Sequence, residues 1–110
     1  MEISTQETNE VTVMAVDGRV DSATAPDLES ALKALVEGDT TKIVLNLHEV
    51  EYMSSAGLRA MVSTLKALKR NDGDLRLCTP SPRVEEVLRL AGLTSIFQIY
   101  SSQEDAVNSF

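Results

Sequence analysis

Two adjacent hydroxyl groups, those of Ser54 and Ser55, lie where the sequence predicts the start of a helix. The first backbone N–H groups of a helix lack partners and carry about half a positive charge, so a serine there caps the helix. A phosphoserine at the same place would gain from the same donors and add roughly −1.5 to −2 charge units. The small residues Ala56 and Gly57 leave a hydroxyl approachable by another protein's active site, and Leu58 would anchor the helix start in the core. The alternative interpretation is that either serine is only an N-cap.

Other kinds of chemistry have little support in the residue types present. The chain has one cysteine, Cys78, and one histidine, His48, which excludes an internal disulfide framework, a cysteine-built zinc site and a histidine-rich metal centre. Gly-rich phosphate loops and the Gly-x-Ser-x-Gly pattern are missing, and the carboxylates show no metal-ligand spacing. The sequence therefore predicts neither an enzyme nor a bound cofactor.

Length and charge narrow the class of protein further. The 110 residues suit one domain over 1–110, and the net charge is −7. Residues 1–51 carry 11 acidic and 3 basic groups, whereas residues 52–110 carry 6 acidic and 7 basic groups. This charge disfavours nucleic acids and anionic membranes and suits a basic protein partner. No apolar run approaches the ~20 residues of a membrane span, and the N-terminus lacks signal-peptide features, so we expect a cytoplasmic domain.

The N-terminal third predicts a hairpin followed by a helix. Residues 11–16 are rich in β-formers, a first strand around Ile3 would pair with them, and Asp17-Gly18 is typical of a turn. Apolar residues then recur at helical spacing over 25–36. Thr24 and Asp27 are predicted to form a capping box at the start of this helix.

The rest of the chain alternates strands with helices. Residues 42–47 are a nearly continuous apolar run that predicts a strand, and 48–56 are predicted as a polar loop. Residues 57–70 are predicted as a helix, whose last turns hold basic residues that the helix dipole favours there. The remaining predicted elements are a strand at 75–78, a helix from Ser81-Pro82 to a glycine cap at Gly92, a strand at 96–100, and a final helix capped by Ser102 and Asp105.

This order predicts an α/β fold with a mixed, mostly parallel β-sheet, an antiparallel N-terminal edge hairpin and about four helices. In such sheets, function gathers in loops at the carboxyl ends of strands. The segments 17–24 and 48–58 are the two candidates.

Several segments in this order resemble the bacterial anti-sigma factor antagonists, which are single-domain members of the STAS family. They are Gly18-Arg19-Val20-Asp21, Asn46-Leu47, Ser54-Ser55-Ala56-Gly57-Leu58, Cys78-Thr79-Pro80-Ser81-Pro82 and Leu90-Ala91-Gly92-Leu93. Each segment alone is weak, but their combination in this order is specific and covers roughly residues 10–108.

The resemblance implies a partner switch. In that family the serine that follows an aspartate is phosphorylated, and alignment on Gly57-Leu58 puts the acceptor at Ser55, with Ser54 in place of the aspartate and as the alternate acceptor. The unmodified protein would bind an anti-sigma factor that is also a serine kinase, and so free a sigma factor. Phosphorylation would end that binding, and a serine phosphatase would reset the cycle. The implied partner-binding residues are Asp21, Ser22, Thr24, Ser54, Ser55, Ala56, Gly57, Leu58 and Arg59.

Two other hypotheses stay open. A STAS domain could serve as a non-phosphorylated scaffold, or as an accessory subunit of a stress-sensing or lipid-transport complex. The replacement of the family aspartate by Ser54 favours this hypothesis. A small-ligand sensor that uses the loop ends of the sheet is the third possibility, although no phosphate-binding motif supports it.

Overall fold

The N-terminal hairpin forms as the sequence predicted. The computed structural model describes residues 1–110. β1 (Glu2–Thr8) and β2 (Val11–Val20) pair antiparallel, and the two-residue turn consists of Asn9 and Glu10, with φ angles of 52° and 67°. Two positive φ angles are what a tight hairpin turn of this kind requires.

The prediction of a turn at Asp17-Gly18 is wrong, because β2 runs through both residues. Gly18 has a φ of 108°, and the pairing of β2 with the next strand shifts register on both sides of it, between Ala15 and Asp17 and between Gly18 and Arg19. Glycine adopts that conformation without strain, so the strand bends there and continues to Val20.

The remaining elements alternate as expected. They are α1 (Ala25–Glu37), β3 (Lys42–Met53), α2 (Ser55–Lys69), β4 (Asp74–Cys78), α3 (Pro82–Leu90), a 3₁₀ turn (Leu93–Ser95), β5 (Ile99–Tyr100) and α4 (Gln103–Asn108). The strands lie in the order β1-β2-β3-β4-β5, and all pairs after the first are parallel. The predicted fold class is confirmed.

Three boundaries differ from the prediction. The segment 48–56 is not a loop, because β3 continues to Met53 and α2 begins at Ser55. The polar residues of 48–52 mislead because this end of the strand is half exposed. The predicted strand at 96–100 is reduced to two residues, because the N–H groups of Ile96 and Phe97 donate to the Leu93 carbonyl of the preceding 3₁₀ turn (3.0 Å each).

Two apolar clusters fill opposite faces of the sheet. The larger has 21 buried residues and joins α1, α2 and α3 to the sheet, for example through Leu32, Met61 and Leu88. On β3, Ile43, Leu45 and Leu47 belong to this cluster, whereas Val44 faces the smaller cluster beneath α4. This alternation fixes the register of β3, so its carboxyl end delivers Ser54 to a defined place.

Candidate functional site

Ser54 is the cap of α2, and its hydroxyl is committed to that role. The Gly57 N–H donates to Ser54 Oγ (3.2 Å), and the Leu58 N–H donates to the Ser54 carbonyl (3.0 Å). The Ser54 N–H in turn donates to the carbonyl of Val20 at the end of β2 (2.8 Å). Ser54 is half-buried and is therefore the structural member of the pair.

Ser55 differs in every one of these respects. It is the first residue of α2, it is exposed, and its hydroxyl makes no hydrogen bond within the chain. Its place at the helix start puts that hydroxyl in the positive field of the helix. The two serines therefore divide the roles that the sequence left open between them.

Gly57 lets the first turn of α2 approach the sheet closely. A Cβ at this position would lie 2.7 Å from Val20 Cγ1 and closer still to the Met53 sulfur. The next residue, Leu58, is only 8% exposed and packs in the larger apolar cluster, as predicted. Ser55 thus stands on a helix start that is packed against the ends of two strands.

Asp21 organises the turn between β2 and α1. Its Oδ1 accepts the backbone N–H groups of Ala23 and Thr24, each at 3.0 Å. The predicted capping box of Thr24 with Asp27 does not form, because the Thr24 hydroxyl accepts the Asp21 N–H (2.9 Å) and donates to the Arg19 carbonyl (2.9 Å) instead. The Thr24 N–H, with smaller contributions from the Thr24 hydroxyl, the Ala23 N–H and the Arg19 charge, holds the pKa of Asp21 below its usual value.

The two predicted segments lie side by side. Val20 pairs with Met53, and Arg19 pairs with Tyr52, whose ring centre lies 4.6 Å from the Arg19 guanidinium carbon. Asp21 and Ser54 follow directly after these paired strand ends. The ionised carboxylate of Asp21 and the free hydroxyl of Ser55, the residue after Ser54, therefore lie at the same edge of the sheet, where its parallel strands end.

The other predicted partner-binding residues surround this edge. Ser22 is exposed in the turn, Ala56 is half-buried, and Arg59 is exposed one helical turn after Ser55. The contact between Arg19 and Tyr52 also lies at this edge. The sequence did not predict it, because Asp17-Gly18 is typical of a turn and 48–56 of a loop.

The two residues most often found in catalytic sites lie outside this edge. His48 is exposed, with its Nε2 3.7 Å from Glu49 Oε1, and burial raises the pKa of the Cys78 thiol. No group of three His, Cys, Asp or Glu side chains is placed to hold a metal ion. None of the helices has the length and apolar character needed to cross a membrane.

The amino-acid sequence matches one protein family and is similar to a named bacterial protein. The family model described as the STAS domain matches residues 2–106. A Bordetella bronchiseptica protein named as an anti-sigma factor antagonist, BtrV, is 36% identical over 110 residues, which are 100% of this chain and 95% of that protein.

Two solved structures share the fold. An anti-sigma factor antagonist from Mycobacterium paratuberculosis superposes with a TM-score of 0.91 at 28% identity, covering 98% of this chain and 92% of that one. The Bacillus cell fate determinant SpoIIAA in its phosphorylated form gives a TM-score of 0.77 at 20% identity, covering 98% of both chains.

Proposed function

The chain belongs to the STAS domain family, and we propose that it is an anti-sigma factor antagonist switched by phosphorylation of Ser55. Its unphosphorylated form binds an anti-sigma factor that is also a serine kinase, and so frees a sigma factor. The kinase transfers the γ-phosphoryl group of ATP to the Ser55 oxygen, releasing ADP and a proton, and the complex separates. A serine phosphatase resets the cycle, and the proposed reactions place the protein in the cytoplasm.

The observation that carries this proposal is the division of roles between the two serines. Ser54 stands where the family has aspartate, and both residue types are strong N-caps. The Ser54 hydroxyl accepts the Gly57 N–H, so this position caps the helix as an aspartate would. The acceptor position next to it is then Ser55, whose hydroxyl is exposed and unbonded.

The electrostatics of the edge support a switch. A phosphate on Ser55 adds roughly −1.5 to −2 charge units, which the helix start tolerates because its N–H groups and dipole favour anions. The Asp21 carboxylate, whose pKa the Thr24 N–H holds below its usual value, is ionised at neutral pH. A partner docked over both groups would have to bury two like-charged anions side by side. A loss of about 3 kcal/mol in binding, or more than a hundredfold in Kd, is the expected scale.

The docking face proposed for the kinase comprises the two segments that meet at this edge. Asp21, Ser22 and Thr24 supply one side. The other side is formed by residues 54–59, with the exposed Arg59 at its end. Names of similar proteins support this role, since BtrV and the Mycobacterium paratuberculosis protein are both described as anti-sigma factor antagonists. The phosphorylated form of SpoIIAA shows that a protein of this fold can carry a phosphate.

Phosphorylation by the cognate kinase tests the acceptor. The wild-type chain, Ser55→Ala and Ser54→Ala are each incubated with the kinase and ATP and read by intact mass. We expect one added phosphoryl group on the wild type and on Ser54→Ala, and none on Ser55→Ala. No added phosphate on the wild type would contradict the switch and favour a non-phosphorylated scaffold, whereas phosphate on Ser55→Ala would move the acceptor to another residue.

Partner binding tests the consequence. Titration calorimetry with the kinase should show tight binding of the wild type and more than a hundredfold weaker binding of Ser55→Asp. Ser4→Asp is the matched control, because Ser4 is an exposed serine on the edge strand β1 and the substitution adds the same charge. Equal binding of the Ser55 and Ser4 variants would refute the electrostatic account.

A further inference from the structure

A groove runs along the outer face of α2, between that helix and the segment after α3. We call it the cationic groove. Its volume is about 620 Å³. Its floor is formed by Leu58, Val62 and Leu93, and its rim by Arg59, Lys66 and Arg70.

The three rim cations form one stripe on α2. Their spacing of seven and four residues places them on the same helix face, over about 16 Å at 1.5 Å per residue. None of the three forms an ion pair within the chain. The basic residues that do are His48, Lys69, Arg76 and Arg89. No carboxylate lines the groove, although the chain has 17 acidic residues.

Like charges four residues apart on one helix face repel each other, so Lys66 and Arg70 destabilise α2 slightly when nothing neutralises them. The macrodipole accounts for cations in the last turn of α2, but Arg59 is the fifth residue of the helix, outside that turn. The helix dipole therefore does not explain the stripe as a whole. An acidic ligand along the groove would explain all three positions.

The apolar lining of the groove shows what else such a ligand must bring. Leu58, Val62 and Leu93 form its floor, and Ala91 completes the wall opposite α2. A purely polar anion would leave this floor uncovered, so the geometry favours a ligand with one apolar face and one acidic face.

We propose that the cationic groove binds an acidic amphipathic helix of a protein partner. The apolar stripe of that helix packs on Leu58, Val62 and Leu93, and its carboxylates face Arg59, Lys66 and Arg70. Ser55 lies at the head of the same groove. A phosphate on Ser55 would repel the incoming carboxylates and compete with them for Arg59. This effect of the phosphate rests on the proposed function, whereas binding of the helix does not.

A designed peptide tests the groove without any cognate partner. The probe is a fluorescein-labelled 18-residue amphipathic helix, with leucines on one face and glutamates spaced to meet the three cations. Its control carries lysine at each glutamate position. Fluorescence anisotropy at low salt should show binding of the glutamate peptide alone, and added salt should weaken that binding because it screens exposed ion pairs.

Charge variants locate the site. The triple variant Arg59→Gln, Lys66→Gln, Arg70→Gln should bind the glutamate peptide about tenfold more weakly, since each exposed ion pair contributes a few-fold. The matched control is Lys33→Gln, Lys42→Gln, Arg83→Gln. It removes the same charge from three cations that have no ion pair and lie outside the groove.

Three results of the peptide experiment would overturn the proposal: equal binding of both peptides, equal effects of the two triple variants, or no binding of the glutamate peptide. A wild-type chain that dimerises through this face in sedimentation, with the peptide unable to compete, would replace the partner helix with a second copy. Binding to anionic phosphatidylglycerol vesicles that the groove variant loses, in place of peptide binding, would replace it with a membrane. Because no kinase takes part, failure of the proposed function leaves this test intact.

Discussion

Substitution of Gly57 by alanine tests how tightly the site is built. The added Cβ would lie 2.7 Å from Val20 Cγ1 and closer to the Met53 sulfur. The two neighbours differ in how far they can yield. Met53 presents the flexible part of its side chain, which can rotate away. Val20 is β-branched, fully buried and held in β2, where its carbonyl also accepts the Ser54 N–H, so it cannot.

Two opposing effects set the expected magnitude. Alanine in place of glycine within a helix is favourable by up to about 1 kcal/mol. An extra carbon forced into a well-packed core costs about 1–3 kcal/mol, and the fixed position of Val20 puts Gly57 in the upper part of that range. The free energy of unfolding should therefore fall by about 1–2 kcal/mol. In a chain of this size, that corresponds to a lower Tm by roughly 5–10 °C.

Thermal unfolding followed by circular dichroism measures this change, with urea unfolding as a check on the free energy. Gly38→Ala is the matched control. Gly38 follows α1 with a negative φ, and its added Cβ would come no closer than 3.3 Å, to the Ala34 carbonyl. That variant should change the free energy of unfolding by less than about 1 kcal/mol. A Gly57→Ala protein as stable as the wild type would show that the sheet ends do not clamp the helix start.

Three further predictions concern residues around the site and the C-terminus. Ser54→Ala should lower the free energy of unfolding by about 1 kcal/mol in urea, because the Gly57 N–H loses its acceptor, whereas Ser55→Ala should stay within about 0.5 kcal/mol. A larger loss in Ser55→Ala would reverse the assigned roles. Asp21→Asn should lower Tm at pH 7. Because the pKa of Asp21 is lowered on folding, the stabilisation is complete above its ordinary value near 3.8 and is lost as pH falls through the depressed value, so the two Tm curves should converge in acid. Arg76→Ala should lower the free energy of unfolding by about 2 kcal/mol, since it leaves the buried Asp74 carboxylate with the exposed Lys69 as its only cation; an unchanged urea midpoint would contradict this.

The sequence predicted those parts of the fold whose residues follow a regular period. The helical spacing over 25–36 and the apolar run at 42–47 each mark a segment that buries apolar side chains, and the structure has a helix over the first and a strand over the second. The start of α2 was also predicted within two residues, because small and hydroxyl residues there are typical of a helix N-terminus.

The parts that were missed depend on contacts between segments distant in sequence. Nothing local to Asp17-Gly18 shows that a neighbouring strand will hold it extended, so a pair typical of turns became a bend in β2. In the same way, residues 48–52 read as polar because their strand end is half exposed, yet pairing with β2 keeps them in β3. The spacing of Thr24 and Asp27 predicted a capping box, but the Thr24 hydroxyl instead accepts the Asp21 N–H and donates to the Arg19 carbonyl. In β2 and β3 local propensity failed because tertiary pairing decided the conformation, whereas at Thr24 other hydrogen bonds within the same turn replaced the predicted one.

The same pairing explains why a charge added at this edge would act on a partner and leave the fold in place. Val20 joins the two halves of the site, since its carbonyl accepts the Ser54 N–H at 2.8 Å and its side chain packs against Gly57. Asp21 and Ser55 each lie one residue beyond that hydrogen bond, which therefore holds their backbones near each other. Under the proposed switch, repulsion between the carboxylate and a phosphate relaxes within the chain only by rotation of the two side chains. While water screens both groups the cost stays small, and it rises when a docked protein removes that water. Under the proposed switch, this repulsion would therefore act at the interface and end binding.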